Sequence, residues 1–398
     1  MRRSAVQLAG STPADEYLHI PAELVVHHDD SEAAEVVLAP FGYRRNRGNG
    51  ELVIFAGSTQ CGEVSNVVDA VRRSEHRDLR IGPHYGFGAC QRVPRSADHA
   101  VGTTEVLGRL EGDAGSLVVG VVDTGIVLHD DIQHGTPHPW LASRVVPSEI
   151  AEDRLPDDRR FLEPGDAHGT FVAGLVLKEA PAASIRMVPA LEGGFTSEEI
   201  VADAIDTLGR EGVKLINLSF SGDTADRGGD RPALLDAALS RLPLDVVVVA
   251  AAGNFADDRP AWPASHERVI AVGAVDERSD GSVQPAAFTS FGPWVDAYAD
   301  GVAVLGPFCW YEESADPDRC DIGSCWHGSD PRRPQRYQGW ARWSGTSFAA
   351  ATVTGAIARL AGDEDIAVQD AAKRLLGSAP TIPVAGLERP HIAGDARS

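Results

Sequence analysis

Cysteine is scarce in this chain: Cys61, Cys90, Cys309, Cys320 and Cys325 are the only five in 398 residues. So thin and odd-numbered a set cannot staple a chain this long, and the fold must stand on its core. Basic residues are outnumbered, with 36 Lys and Arg against 58 Asp and Glu, for a formal net charge of −22. Such a surface repels phosphate backbones and anionic lipid, which argues against nucleic acid and membranes as partners. No apolar run is long enough to cross a bilayer, and there is no internal repeat. Arg2 and Arg3 precede an apolar stretch too short for a secretory signal, broken at Ser11 and Pro13. A cytoplasmic location is therefore expected, unless a signal has been removed. The rest is ordinary for a folded protein: 43% hydrophobic and 24% charged residues, enough to bury a sizeable core.

Two textures divide the chain. Residues 1–115 read as a small α+β domain followed by a connector. Ala34–Gly42 and Glu51–Gly57 are apolar runs of strand length, split by the polar turn Arg44–Gly50. Val64–Glu75 carries helical spacing through Val67, Val68 and Val71, and Arg80–Gly88 reads as a further strand. Gln91–Gly115 is polar and turn-rich, hence the connector. In residues 116–398 the apolar runs Leu117–Val122, Val213–Phe220, Asp245–Ala252 and Val269–Val275 alternate with helical stretches at Gly169–Leu177, Ser197–Arg210 and Pro232–Arg241. That alternation predicts an α/β domain, a doubly wound, mostly parallel sheet with helices on both faces. The segment 307–340 breaks the rhythm. It holds three cysteines and many Pro, Gly and Asp, and reads as a long irregular insertion.

Four polar residues stand where such a sheet exposes chemistry. Asp123 closes the run Val118–Val122, at the strand end where ligands of parallel sheets gather. It is also a turn-forming Asp before Gly125. An Asp-Thr-Gly after an apolar run suits a two-carboxylate protease too, but that chemistry needs a second such motif, and none occurs. His168 opens a stretch of small residues, His168-Gly169-Thr170-Phe171-Val172-Ala173-Gly174, that predicts a helix start. Ser347, in Gly345-Thr346-Ser347-Phe348-Ala349, has the same setting: a nucleophile needing a base, or an N-cap serine. Asn254 follows Ala251-Ala252-Gly253 after a buried strand, as an oriented donor or a turn residue.

Together, in the order Asp, His, Asn, Ser, these motifs resemble the subtilisin-like serine proteases over residues 116–377. The matches are Asp123-Thr124-Gly125-Ile126 with His129-Asp130-Asp131-Ile132, then His-Gly-Thr-x-Val-Ala-Gly, Ala-Ala-Gly-Asn and Gly-Thr-Ser-x-Ala. The resemblance implies a triad of Asp123, His168 and Ser347, with Asn254 aiding the oxyanion. It implies a substrate-lining strand at Asn217-Leu218-Ser219-Phe220-Ser221-Gly222, facing Ala251, Ala252 and Gly253. It implies an opposite rim at Gly193-Gly194-Phe195, where an extended peptide adds as a strand. Phe171 stands where the family has His, Phe348 where it has Met and Ala351 where it has Pro. None of these removes a catalytic group. The function implied is a serine endopeptidase acting on peptides or proteins. Two alternatives are a peptide ligase or macrocyclase on the same scaffold, and an inactive peptide-binding relative.

No cofactor is expected. Subtilisin relatives often bind calcium, but Glu152, Asp153, Asp157 and Asp158 lack the spacing of a calcium loop and read as a solvated charge run. Cys309, Cys320, Cys325 and His327 lack the close Cys pairs of a zinc site, and read as a local disulfide or thiols. The N-terminal domain has the size of the family's propeptides, so an intramolecular inhibitor is expected over a permanent accessory domain.

Overall fold

The computed structural model describes residues 6–9, 16–48, 50–58, 64–89, 100–106, 115–127, 138–146, 152–153, 155, 162, 165–226, 229–278, 280–313 and 335–394. The N-terminal unit comprises strands β1 (Gln7–Ala9), β2 (Tyr17–His27), β3 (Arg44–Gly48), β4 (Leu52–Ala56) and β5 (Ile81–Gly88), with helices α1 (Ser31–Leu38) and α2 (Val64–Arg72). Its sheet runs β3-β4-β2-β5, with β1 on β2, and every pair is antiparallel. Alternation sorts the side chains. Leu24, Val26, Val53 and Phe55 pack beneath the two helices, whereas Val25, Leu52, Ile54 and Tyr85 face the other way, into a core shared with the larger unit.

Two sequence expectations fail here and one element was missed, each for a local reason. Ala34–Gly42 is not a strand. Ser31, Ala34 and Leu38 are buried three and four residues apart while Val36 is 74% exposed, which is helical period. Arg44–Gly50 is not only a turn, because Arg44–Gly48 forms a wholly exposed edge strand with no apolar face to announce it. The long strand β2 went unseen. Pro21 and the left-handed Ala22 (φ 54°) break its alternation at a register shift.

After a short strand β6 (Val101–Gly102) the second unit begins. It contains β7 (Val118–Asp123), α3 (Pro139–Ala142), α4 (His168–Glu179), β8 (Ser184–Pro189), β9 (Phe195–Ser197), α5 (Glu198–Arg210), β10 (Leu215–Leu218) and α6 (Ala233–Arg241). There follow β11 (Val247–Ala251), β12 (Val269–Glu277), β13 (Val283–Pro285), β14 (Ala297–Asp300), β15 (Val304–Glu312) and β16 (Arg336–Trp343). Helices α7 (Thr346–Glu364) and α8 (Val368–Ser378) and strands β17 (Thr381–Val384) and β18 (Leu387–Ile392) complete it. The main sheet has the order β17-β18-β14-β12-β11-β10-β7-β8. It is parallel except at β13 and β17. Val119 and Val121 face the layer of α4 and α7, and Val122, Ile216 and Leu218 face α5 and α6. The fold is thus α/β with helices on both faces, as the strand–helix rhythm predicts.

The flanks of the expected irregular loop at 307–340 are strands: β15 and β16 pair antiparallel, and β16 also pairs with β6, while residues 314–334 lie outside the described residues. Gly306, Pro307 and a register shift between Pro307 and Trp310 hide the alternation of β15. The hairpin docks on α4 so closely that a Cβ on Gly174 would lie 1.8 Å from the Pro307 ring. Cys309 is buried within it; Cys320, Cys325 and His327 lie outside the described residues.

Candidate active site

Asp123 is the last residue of β7 and fully buried. Its Oδ1 accepts from the Thr124 backbone N–H at 2.8 Å. His168, the first residue of α4, brings Nδ1 to 2.8 Å from Asp123 Oδ1 and 3.0 Å from Oδ2. A carboxylate accepts, so Nδ1 carries the hydrogen and Nε2 of the neutral ring is left as an acceptor. Nε2 is buried and has no hydrogen-bond partner among the described residues. Around the imidazole stand Trp343 from the hairpin, edge-on at 5.4 Å between ring centroids, and Phe348 at 5.5 Å. Phe171 packs on both of these rings. Phe171 and Phe348, separate departures in the sequence, are therefore one contact.

Ser347 lies in the first turn of α7 and is 2% exposed. Its hydroxyl donates not to His168 but to the Ser219 carbonyl, at 2.9 Å. Ser219 answers with its own hydroxyl, which donates to the Ser347 carbonyl at 2.8 Å. Behind it, the Thr354 hydroxyl donates to Asn217 Oδ1 (2.9 Å), and Asn217 Nδ2 donates to Ser219 Oγ (2.8 Å). All four residues are buried, so this run of direct bonds fixes the Ser347 backbone. Sequence reasoning missed Thr354 and the holding role of Asn217 and Ser219. The available signal was a polar residue inside an otherwise apolar strand.

Asn254 follows β11. Its Oδ1 accepts from the Thr346 backbone N–H (2.9 Å) and hydroxyl (3.0 Å). With the oxygen engaged on α7, the Nδ2 end is the donor left for a ligand. Gly253, at φ 100°, turns the chain here. A side chain on it would meet the Phe255 ring at 2.7 Å and Ser221 Oγ at 3.1 Å. Phe255, which the sequence did not single out, thus packs close against the Gly253 turn.

The two expected rims are occupied by the chain itself. Strand β5 pairs antiparallel with β9, matching Gly86, Phe87 and Gly88 to Ser197, Thr196 and Phe195. Gly88 exchanges both backbone hydrogen bonds with Ser221, at 2.9 and 3.0 Å, and the Ala89 N–H donates to the Gly194 carbonyl at 2.9 Å. Beside this seam Glu198 is fully buried and accepts from the backbone N–H groups of Tyr85 and Leu234, both at 3.0 Å. Burial pushes Glu198 up to about 7, against the lowering pull of His84 and those N–H groups. Glu23 is held down at about 2, because hydrogen bonds from His84 and Arg47 outweigh its burial.

Asp153 is not the solvated charge expected of it. Its Oδ2 accepts from the Thr124 hydroxyl at 2.9 Å and the Ala167 backbone N–H at 3.1 Å. Asp157 and Asp158 lie outside the described residues, as do His129-Asp130-Asp131-Ile132. Among the described residues, no group of three or more His, Cys, Asp or Glu converges as metal ligands would. Nor is any helix among them long and apolar enough to cross a membrane.

The model of the subtilase family, peptidase S8, matches residues 115–383. A thermophilic serine proteinase from Bacillus sp. (strain AK1) is 33% identical over 198 residues, covering 47% of this chain and 44% of its own. Thermitase from Thermoactinomyces vulgaris is 31% identical over 203 residues, covering 48% and 64%. The matched stretch thus spans less than two thirds of either relative. Among solved structures, fervidolysin from Fervidobacterium pennivorans, a keratinolytic enzyme related to subtilisin, has a TM-score of 0.59 at 18% identity. That likeness covers 97% of this chain and 61% of the other, and concerns the fold.

Proposed function

The chain belongs to the subtilase family, and from that premise we propose that it is a serine endopeptidase working through Asp123, His168 and Ser347. The observation that carries this reading is the buried Asp123–His168 pair at 2.8 Å, which leaves an unpartnered Nε2 on the side of the ring away from the carboxylate. On this reading the Ser347 hydroxyl leaves the Ser219 carbonyl for that nitrogen when substrate binds. Catalytic hydrogen bonds of this kind often tighten only when substrate is bound. Ser347 Oγ then attacks the scissile carbonyl while His168 takes its proton and later gives one to the leaving amine. Asp123 holds the tautomer and stabilises the imidazolium. The Ser347 N–H and Asn254 Nδ2 receive the oxyanion. A fluorophosphonate probe tests the reading. It should label the chain at Ser347, and absence of labelling in a form freed of its N-terminal unit would refute it.

The N-terminal unit is, on this reading, an intramolecular inhibitor. A peptide substrate would add as a strand between the Phe195–Ser197 and Ser219–Gly222 rims, and the Gly86–Ala89 segment uses those same backbone groups. Intact mass after purification should show scission within residues 91–115. A chain that stays whole while fully active would make the unit a permanent accessory instead.

A further inference from the structure

We infer that Asp153 is a positioning residue for this reaction, holding the segments that carry Asp123 and His168 in register with each other. The inference rests on the protease reading above. It starts from a deficiency in α4. The residue at its N-cap is Ala167, which has no side chain able to cap and sits at φ 59°. Non-glycine residues keep that left-handed conformation only where their surroundings over-determine it. The first N–H groups of a helix also need acceptors from outside it.

Asp153 supplies what Ala167 cannot. Its backbone N–H donates to the Ile126 carbonyl at 2.9 Å, which places the carboxylate beneath the Asp123-Thr124-Gly125 turn. Oδ2 then accepts from the Ala167 N–H at 3.1 Å and from the Thr124 hydroxyl at 2.9 Å. The Thr124 oxygen in turn accepts from the Gly169 N–H at 3.0 Å. One carboxylate oxygen therefore ties the residue after Asp123 to the residue before His168, and through Thr124 to the residue after it. The 2.8 Å contact between Asp123 and His168 closes the ring from the other side. Burial pushes Asp153 up to about 6, opposed by its bonds to Thr124 and Ala167. Asp123 adds repulsion and His168 attraction. The chain thus keeps a second carboxylate beside the first, and the bonds it accepts give that placement a purpose.

The experiment is steady-state kinetics on the full chain, with turnover expressed per site labelled at completion by a fluorophosphonate. Asp153→Ala should lower kcat about 10–100-fold with little change in KM, the scale of a small misplacement of catalytic groups. Asp153→Asn keeps an oxygen for both bonds and should recover most of that loss. Thr124→Val, which removes the links to Asp153 and Gly169 but leaves Asp153 on the Ala167 N–H, should give a drop of the same kind. A role in stability alone would lower Tm and the labelled fraction while leaving turnover per labelled site at the wild-type value, and that result overturns the inference. A wild type that neither labels nor cleaves even when freed of its N-terminal unit sinks the protease reading and this inference with it. An active wild type with unaffected variants sinks the inference alone.

Discussion

The two units hold their polar groups in different ways. In the larger one, buried polar side chains meet across long stretches of chain. Asp123 meets His168, Asn254 meets Thr346, and Thr354, Asn217 and Ser219 line up behind Ser347. In the smaller one, the charged links to its neighbour are partly solvated. Arg47 reaches Glu199 and Arg72 reaches Asp230, with the two guanidinium side chains 39% and 36% exposed. Pairs of that kind contribute only about 0–1 kcal/mol. Attachment therefore depends on strand pairing along β5 and on the apolar face it shares with α5 and α6. One unit holds its polar groups by buried, direct bonds; the other meets its neighbour through strand pairing, an apolar face and partly solvated ion pairs.

The sharpest test of that contrast is Ser347→Ala. Turnover should fall by about 10⁴-fold or more while the N-terminal unit stays docked and uncut, read by peptide hydrolysis and intact mass. Asn254→Ala should lower kcat by about 10²–10³-fold, the effect that loss of one oxyanion donor has in subtilisin; a change confined to KM would contradict its role. Gly88→Pro attacks the other unit. It removes the N–H donated to the Ser221 carbonyl, and one lost hydrogen bond of about 0.5–1.5 kcal/mol should raise the initial rate of uncut chain roughly 2–10-fold. A fall in rate would mean the strand is no inhibitor.

Acidity should modulate the same contact. Docked Glu198 is raised to about 7 from its ordinary 4.5. Once its seam with Tyr85 opens to water it returns toward the lower value. The docked form thus binds a proton more tightly, so docking strengthens as pH falls from about 7 and weakens as pH rises through it. Inhibition measured from pH 5 to 8 that is flat, or stronger at the alkaline end, would contradict this. The smallest effect concerns oxidation. Phe348 puts no sulfur beside the nucleophile, so Phe348→Met should lose activity faster in peroxide than the wild type. Equal inactivation curves would refute it.

Much of the larger unit was legible because its signals are local. Asp123, His168, Asn254 and Ser347 each sit in a short motif at a strand or helix end, and the apolar runs of the parallel sheet are continuous. What escaped was non-local or disguised. Nothing near Thr354 announces a bond to Asn217, which lies 137 positions earlier. Asp153 looks like surface charge beside Glu152, and its partners are visible only once Thr124 and Ala167 converge on it. The hairpin of β15 and β16 hides behind Gly306 and Pro307. In the smaller unit α1 passes for a strand, because Val36 and Val37 extend its apolar run toward Leu38 although Val36 faces solvent.

Strand β9 belongs to the larger unit by sequence and completes the sheet of the smaller one by hydrogen bonding. The edge of β9 that β5 occupies offers one row of backbone groups, so on the inhibitor reading β5 and an incoming peptide would be mutually exclusive tenants. While the connector is whole, β5 is present at a local concentration on the order of millimolar, against which a dilute peptide competes poorly. Severing the connector reduces that figure to whatever the detached unit reaches in bulk. On the inhibitor reading, a single broken bond in the connector would thus change how often the cleft is open.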